Sequence, residues 1–101
     1  MYSISAFAKK VGLSRSTLLY YEQQGLLDSK RQANGYRLYS DQDAQRLYLL
    51  QQLQAGGLTL KECKSFLDSK VQRTVLEKRL QQLDEDIAKK QQARALLAAL
   101  L

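Results

Sequence analysis

From Lys70 to Leu101 the chain carries no glycine and no proline, and it is rich in Leu, Gln, Lys, Glu and Ala. Those residues favour uninterrupted helix. Within the stretch, Leu76, Leu80, Leu83, Ile87, Lys90, Arg94, Leu97 and Leu101 recur at alternating intervals of four and three. This is the period of a coiled-coil seam, with two polar residues in its middle. A helix of this length would extend about 48 Å at the usual rise per residue. The remaining residues, 1–69, make a domain too small to cover such a stripe. The segment therefore needs a partner helix, most simply from a second copy, with Leu76, Leu80, Leu83, Ile87, Arg94 and Leu97 at the dimer interface. The expected division is a head, 1–69, and a dimerisation helix, 70–101.

The head is divided by its glycines. Ser5 to Val11 reads as a short helix capped by Ser5, with Phe7, Ala8 and Val11 on one face. Gly12 suits the left-handed position just past it. Ser14 caps a second helix, Arg15 to Gln24, which stops at Gly25 and turns Leu18 and either Leu19 or Tyr21 inward. A short helix, a three-residue turn containing glycine and a longer helix make a helix-turn-helix pattern. Residues 26–39 lack a helical period. Asn34-Gly35 is a strong hairpin signal, and Tyr36 to Tyr39 alternate as a strand does, which predicts a two-stranded wing. Ser40 with Asp43, and Thr59 with Glu62, form capping boxes for two further helices. The first carries Ala44, Leu47, Leu50 and Leu53 inward and ends at Gly56-Gly57. The second buries Cys63, Phe66 and Leu67. The fold class is mainly α: four helices and a small β-hairpin wing in the head, then the long helix.

Composition narrows the chemistry. The 101 residues hold 16 Lys and Arg against 10 Asp and Glu, with no histidine and one cysteine. Without imidazole there is no Ser-His-Asp or Cys-His catalysis, and one thiol without histidine builds no zinc site. No metal, no cofactor and no enzymatic activity are expected. Asp84-Glu85-Asp86 are consecutive on a helix, so they diverge and read as a solvated face. The chain has no apolar run approaching the roughly twenty residues of a membrane span and no secretory signal order, which points to a cytoplasmic protein. The charge is uneven: residues 1–40 carry +4, residues 41–69 carry −1 and residues 70–101 carry +3. The first forty residues are the better anion-facing surface.

Several blocks together are more specific than any one pattern. Tyr2 to Ser14, then Ser16-Thr17-Leu18-Leu19-Tyr20-Tyr21, Gly25-Leu26-Leu27 and Asn34-Gly35-Tyr36-Arg37-Leu38-Tyr39-Ser40, resemble the MerR family of bacterial transcription regulators. So does the stretch from Leu47 to Gly57. The resemblance implies a winged helix-turn-helix head on a long helix paired as an antiparallel coiled coil in a homodimer. It implies sequence-specific binding to palindromic promoter DNA, distortion of that DNA, and RNA polymerase as a further partner on the same promoter. Two other uses of such a chain remain open: an excisionase-like architectural protein that bends DNA without an effector, and a coiled-coil adaptor between proteins.

The DNA-binding candidates follow from position. A recognition helix offers its N-terminal residues to the major groove, here Arg15, Ser16 and Thr17. Arg15 either reads guanine, worth about 1–3 kcal/mol of discrimination, or holds a phosphate. Tyr20 and Tyr21 are adjacent and point about 100° apart, so one should pack while the other offers its hydroxyl to a phosphate. Arg37 is read as a phosphate ligand at the hairpin tip. Tyr36 and Tyr39 either pack the wing or reach the DNA backbone. Lys61 lies in a first helical turn, where phosphate is favoured. Leu19 stands where many relatives carry arginine, which removes one contact and shifts operator preference. Cys63 reads as a structural thiol. Metal sensors of this family place cysteines on and after the dimer helix, and this sequence has none there. The effector is unknown, and the apolar Leu96 to Leu101 suggests either a following segment or packing on a partner head.

Overall fold

The computed structural model describes residues 1–69 and 71–101. The chain divides into two compact units, Met1–Ser69 and Lys70–Leu101.

In the first unit the elements are β1 (Tyr2–Ser3), α1 (Ile4–Val11), α2 (Arg15–Gln23), β2 (Lys30–Arg31), β3 (Arg37–Tyr39), α3 (Asp41–Ala55) and α4 (Leu60–Leu67). Three of its helix starts have a local cause. Ser14, Ser40 and Thr59 each accept a hydrogen bond from the backbone N–H three residues on, and both expected capping boxes are closed. This satisfies amides that the helix itself leaves open. At the end of α2, Gly25 takes φ 73° and the Leu26 N–H reaches back to the Tyr21 carbonyl at 2.9 Å. That left-handed step is cheap only without a Cβ. Helices α1 and α3 close with the same five-residue reach, from Leu13 to Ala8 and from Leu58 to Leu53.

Three expectations need correction. The cap of α1 is Ser3, not Ser5: its side chain accepts from the Ala6 N–H, and the helix starts at Ile4. The sheet has three strands in the order β1-β3-β2, because Tyr2 pairs with Tyr39 and Ser3 with Leu38 across an antiparallel ladder. A two-residue strand leaves no period in the sequence, so it was not visible there. The wing turn is a three-residue loop, 33–35, rather than a two-residue turn centred on Asn34-Gly35. Gln32 N–H bonds the Tyr36 carbonyl, Gly35 N–H bonds the Gln32 carbonyl, and only Gly35 has positive φ, 84°. Hairpins of this length end in one left-handed residue, which glycine supplies.

The core of this unit is Phe7, Leu18, Leu26, Leu27, Tyr39, Leu47, Leu50, Leu58 and Cys63. Every element of this unit except β1 and β2 contributes at least one of them. Phe7 and Tyr39 stack at 4.5 Å with planes 7° apart, locking α1 onto the sheet. Phe66 and Leu67, expected to be buried, are only half-buried. Helix α3 packs on both α1 and α4.

The second unit is α5 (Arg73–Ala99), about 40 Å long at 1.5 Å per residue. It begins later than expected and has no side-chain cap, since Gln72 occupies the capping position without accepting a bond. Lys70 lies outside the described residues. On α5, Leu76, Leu80, Ile87 and Leu97 are 42 %, 61 %, 52 % and 67 % exposed.

Candidate nucleic-acid interface

The start of α2 is organised around Ser14. Its Oγ accepts the Thr17 N–H at 3.2 Å and lies 2.8 Å from the Thr17 hydroxyl and 3.1 Å from the Ser16 hydroxyl. Ser16 and Thr17 are thus held in the first turn by the cap itself. Ser16 is exposed and Thr17 half-buried. Arg15 is exposed, and its Nη2 donates to the Ser5 hydroxyl of α1. Ser5, displaced from its expected cap role, anchors that guanidinium instead.

Tyr20 and Tyr21 divide as their geometry requires. Tyr20 is 47 % exposed. Tyr21 is half-buried, with its hydroxyl directed at Gln54 Oε1 of α3, 3.5 Å away. Their ring centres are 6.0 Å apart. Ser16, Thr17, Tyr20, Tyr21, Gln54 and Leu60 line a shallow depression of about 370 Å³. It joins the first turn of α2 to the first turn of α4, where Lys61 is exposed next to Leu60. Small hydroxyls and aromatic edges on an open surface, with an exposed lysine next in sequence to Leu60, suit a phosphate-bearing ligand.

The wing carries the second group. Tyr36 is 71 % exposed and follows directly on the loop. Lys30 and Arg31 are exposed, and Arg31 Nη1 donates to the Gly35 carbonyl at 3.4 Å. Arg37 is not at the hairpin tip. It lies in β3, and its Nε donates to Glu22 Oε2 of α2 at 2.9 Å. Tyr39 takes the packing role of its two alternatives: it is fully buried, and its hydroxyl donates to Glu22 Oε1 at 2.9 Å. Burial first, then the Glu22 carboxylate, push the Tyr39 phenol up to about 12.

Two residues of consequence were not singled out from sequence. Glu22 joins the recognition helix to the wing. Arg46 of α3 donates to the Leu26 carbonyl at 2.7 Å, the Leu67 carbonyl at 3.4 Å and Asp68 Oδ1 at 2.6 Å. For Glu22 a signal existed: it is one of two carboxylates among the first forty residues, on a surface otherwise basic. Cys63 is fully buried, and burial raises its thiol above the ordinary value. Among the described residues no group of three or more His, Cys, Asp or Glu could hold a metal ion. No helix among them is long and apolar enough to cross a membrane.

Two antiparallel-paired strands behind a helix-turn-helix, with the wing tied to the second helix, define a winged helix-turn-helix protein. The chain belongs to the MerR family of helix-turn-helix regulatory proteins, whose model matches residues 2–70. It is 37 % identical over 67 residues to the mercuric resistance operon regulatory protein of Bacillus cereus, covering 65 % of this chain and 51 % of that one. It resembles the crystal structure of HiNmlR, described as a MerR family regulator lacking the sensor domain, bound to promoter DNA. There the identity is 33 %, the TM-score 0.68 and the coverage 95 % of this chain and 74 % of that one. The N-terminal part of MtaN, the Bacillus subtilis multidrug transporter activator, is 30 % identical, with TM-score 0.59 and 92 % and 97 % coverage. The chain spans about half the length of the curated relatives it matches.

Proposed function

We propose that this chain binds promoter DNA sequence-specifically as a homodimer and regulates transcription by distorting the site it occupies. The observation that carries the reading is the pairing of two exposed surfaces on one head. One is the capped first turn of α2 with Arg15, Ser16, Thr17 and Tyr20. The other is the basic wing beside it, with Arg37 fixed to α2 through Glu22. The likeness to a regulator described as bound to promoter DNA, over 95 % of this chain, supports it. In this reading Arg15, Ser16 and Thr17 face base edges. Tyr20, Tyr36, Arg37 and Lys61 face the phosphates, and Tyr21 lies at the edge of the site. The leucine stripe of α5 pairs with its copy in an antiparallel coiled coil. The protein is a cytoplasmic binding protein rather than an enzyme, and RNA polymerase is its neighbour on the promoter.

Selection of bound duplexes from a random pool tests this. The expected result is a two-fold symmetric site whose affinity falls steeply with salt, in proportion to the phosphates contacted. Recovery no better than with a polyanion competitor would sink the reading. Arg37→Ala should weaken binding to all duplexes about equally, whereas Arg15→Ala should change the preference among them. An equal, sequence-blind loss from both would remove Arg15 from the base-reading set.

A further inference from the structure

A carboxylate on a surface that faces DNA repels the ligand, so Glu22 calls for a reason to be there. It sits in the last turn of α2, its side chain 14 % exposed. Its two oxygens are divided between two residues of one strand: Oε2 accepts from Arg37 Nε and Oε1 from the Tyr39 hydroxyl, each at 2.9 Å. Arg37 and Tyr39 are two apart in β3, so they share a face of the sheet. Tyr39 is pinned from behind by its stack on Phe7. The carboxylate therefore meets a strand that cannot slide. It engages only the Nε edge of the guanidinium, which is planar and offers its remaining donors in a fixed fork. Arg37 is 31 % exposed along its side chain. One edge is thus tethered to α2 while the other edge stays available to an outside anion.

We propose that Glu22 is a positioning residue for DNA binding: it orients Arg37 from the recognition helix, so that helix and wing present their phosphate and base contacts in one fixed geometry. The inference rests on the DNA-binding reading above. It makes a prediction opposite in sign to simple electrostatics. Removal of a negative charge near a polyanion strengthens binding by attraction alone. If Glu22 positions Arg37, its removal weakens binding, because the freed guanidinium must be ordered by the DNA itself.

The test measures affinity for the duplex recovered by selection, with a random-sequence duplex alongside, using the full chain. Glu22→Gln is expected to weaken binding about tenfold, the scale of a lost charge-assisted hydrogen bond. Asp28→Asn, which removes an exposed carboxylate nearby in sequence, is expected to strengthen it slightly. In an Arg37→Ala background, Glu22→Gln should no longer weaken binding, since the group it positions is gone. A purely structural role would weaken both backgrounds alike and overturn the proposal. So would a Glu22→Gln variant that binds as tightly as the parent, or tighter. Phenol absorbance supplies a second readout: Tyr39 should titrate at lower pH in Glu22→Gln, which reports that the carboxylate contact has been lost. If Glu22→Gln does not fold, Glu22→Asp keeps the charge, shortens the reach and carries the same two expectations. If the parent protein binds neither duplex, the DNA-binding reading and this inference fall together. If the parent binds and only the coupling to Arg37 is missing, this inference falls alone.

Discussion

Arg46 shows how much one side chain can hold. Its guanidinium closes over the Leu26 carbonyl after α2, the Leu67 carbonyl ending α4 and the Asp68 carboxylate beyond it, from a position in α3. Arg46→Ala removes the guanidinium from both carbonyls and leaves Asp68 with Lys64 alone, and we expect a loss of about 2–3 kcal/mol in urea denaturation. A loss below about 0.5 kcal/mol, the range of an ordinary surface substitution, would contradict this. The Arg46 hydrogen bond, with Lys64 adding to it, holds the Asp68 carboxyl below the ordinary carboxylate value. A carboxyl harder to protonate when folded stabilises the fold above its unfolded pKa and loses that contribution as the pH falls. Asp68→Asn should therefore flatten the decline in urea midpoint as the pH falls below about 5. Tyr39 has the opposite sign. Its phenol, raised to about 12, stabilises the fold fully below its ordinary value of 10.0 and loses the contribution as pH climbs through about 12. Tyr39→Phe should lower stability at neutral pH and remove one high-pH step from the phenol absorbance titration. The packing of Tyr39 was one of the two roles its position allowed, but the long-range partners of Arg46 and Glu22 were not legible in the sequence. The partners of Arg46 are 20, 21 and 22 residues away, and those of Glu22 are 15 and 17 away. No local spacing announces such pairs.

At the scale of elements the sequence spoke clearly wherever the cause was local. A serine or threonine whose side chain accepts from the backbone N–H three residues on produced the cap at Ser14, Ser40 and Thr59. The cap of α1 misled because Ser3 and Ser5 are equally suited by type. The choice fell to Ser3 because Tyr2–Ser3 is drawn into the ladder with β3, which leaves Ser3 in extended backbone at the mouth of the helix. That pairing depends on Tyr39 and Leu38, far along the chain. The wing loop offers a sharper test. A Cβ on Gly35 would meet nothing within 4 Å, so any cost of Gly35→Ala comes from its φ of 84° alone. We expect about 1 kcal/mol of destabilisation. The loss should be accompanied by weaker DNA binding, because Tyr36 and Arg37 follow directly on the loop. At Gly25 a Cβ would lie 2.8 Å from Lys64 Cε, the far end of a flexible side chain that can move aside, so its φ of 73° again sets the cost. Gly25→Ala should therefore cost about as much as Gly35→Ala, and thermal melts of the two variants check this.

For the whole molecule the strongest test comes from a helix too long for a head of this size to cover. Leu76, Leu80, Ile87 and Leu97 are exposed on α5 along one stripe, and Leu83 falls in the same spacing. Burial of each such side chain is worth about 1.5–3 kcal/mol, and an antiparallel pair buries every one of them twice. Ile87→Glu places a charge in that seam on both copies at once, so each dimer must desolvate two added carboxylates where it had buried two isoleucines. The expected outcome is a loss of self-association of at least about a hundredfold, read by sedimentation velocity. The head is expected to melt as before, because its core residues Phe7, Leu18, Leu26, Leu27, Tyr39, Leu47, Leu50, Leu58 and Cys63 all lie within residues 1–69. Affinity for a two-fold site should drop with dimerisation, while a half-site is bound as weakly as before. Lys90 and Arg94 argue the same point from the other side. They interrupt the apolar stripe, and polar residues in a seam trade stability for a single register. Arg94→Leu should tighten the association and broaden the set of oligomers formed. If Ile87→Glu left the sedimentation coefficient of the parent unchanged, α5 would be serving some partner other than its own copy.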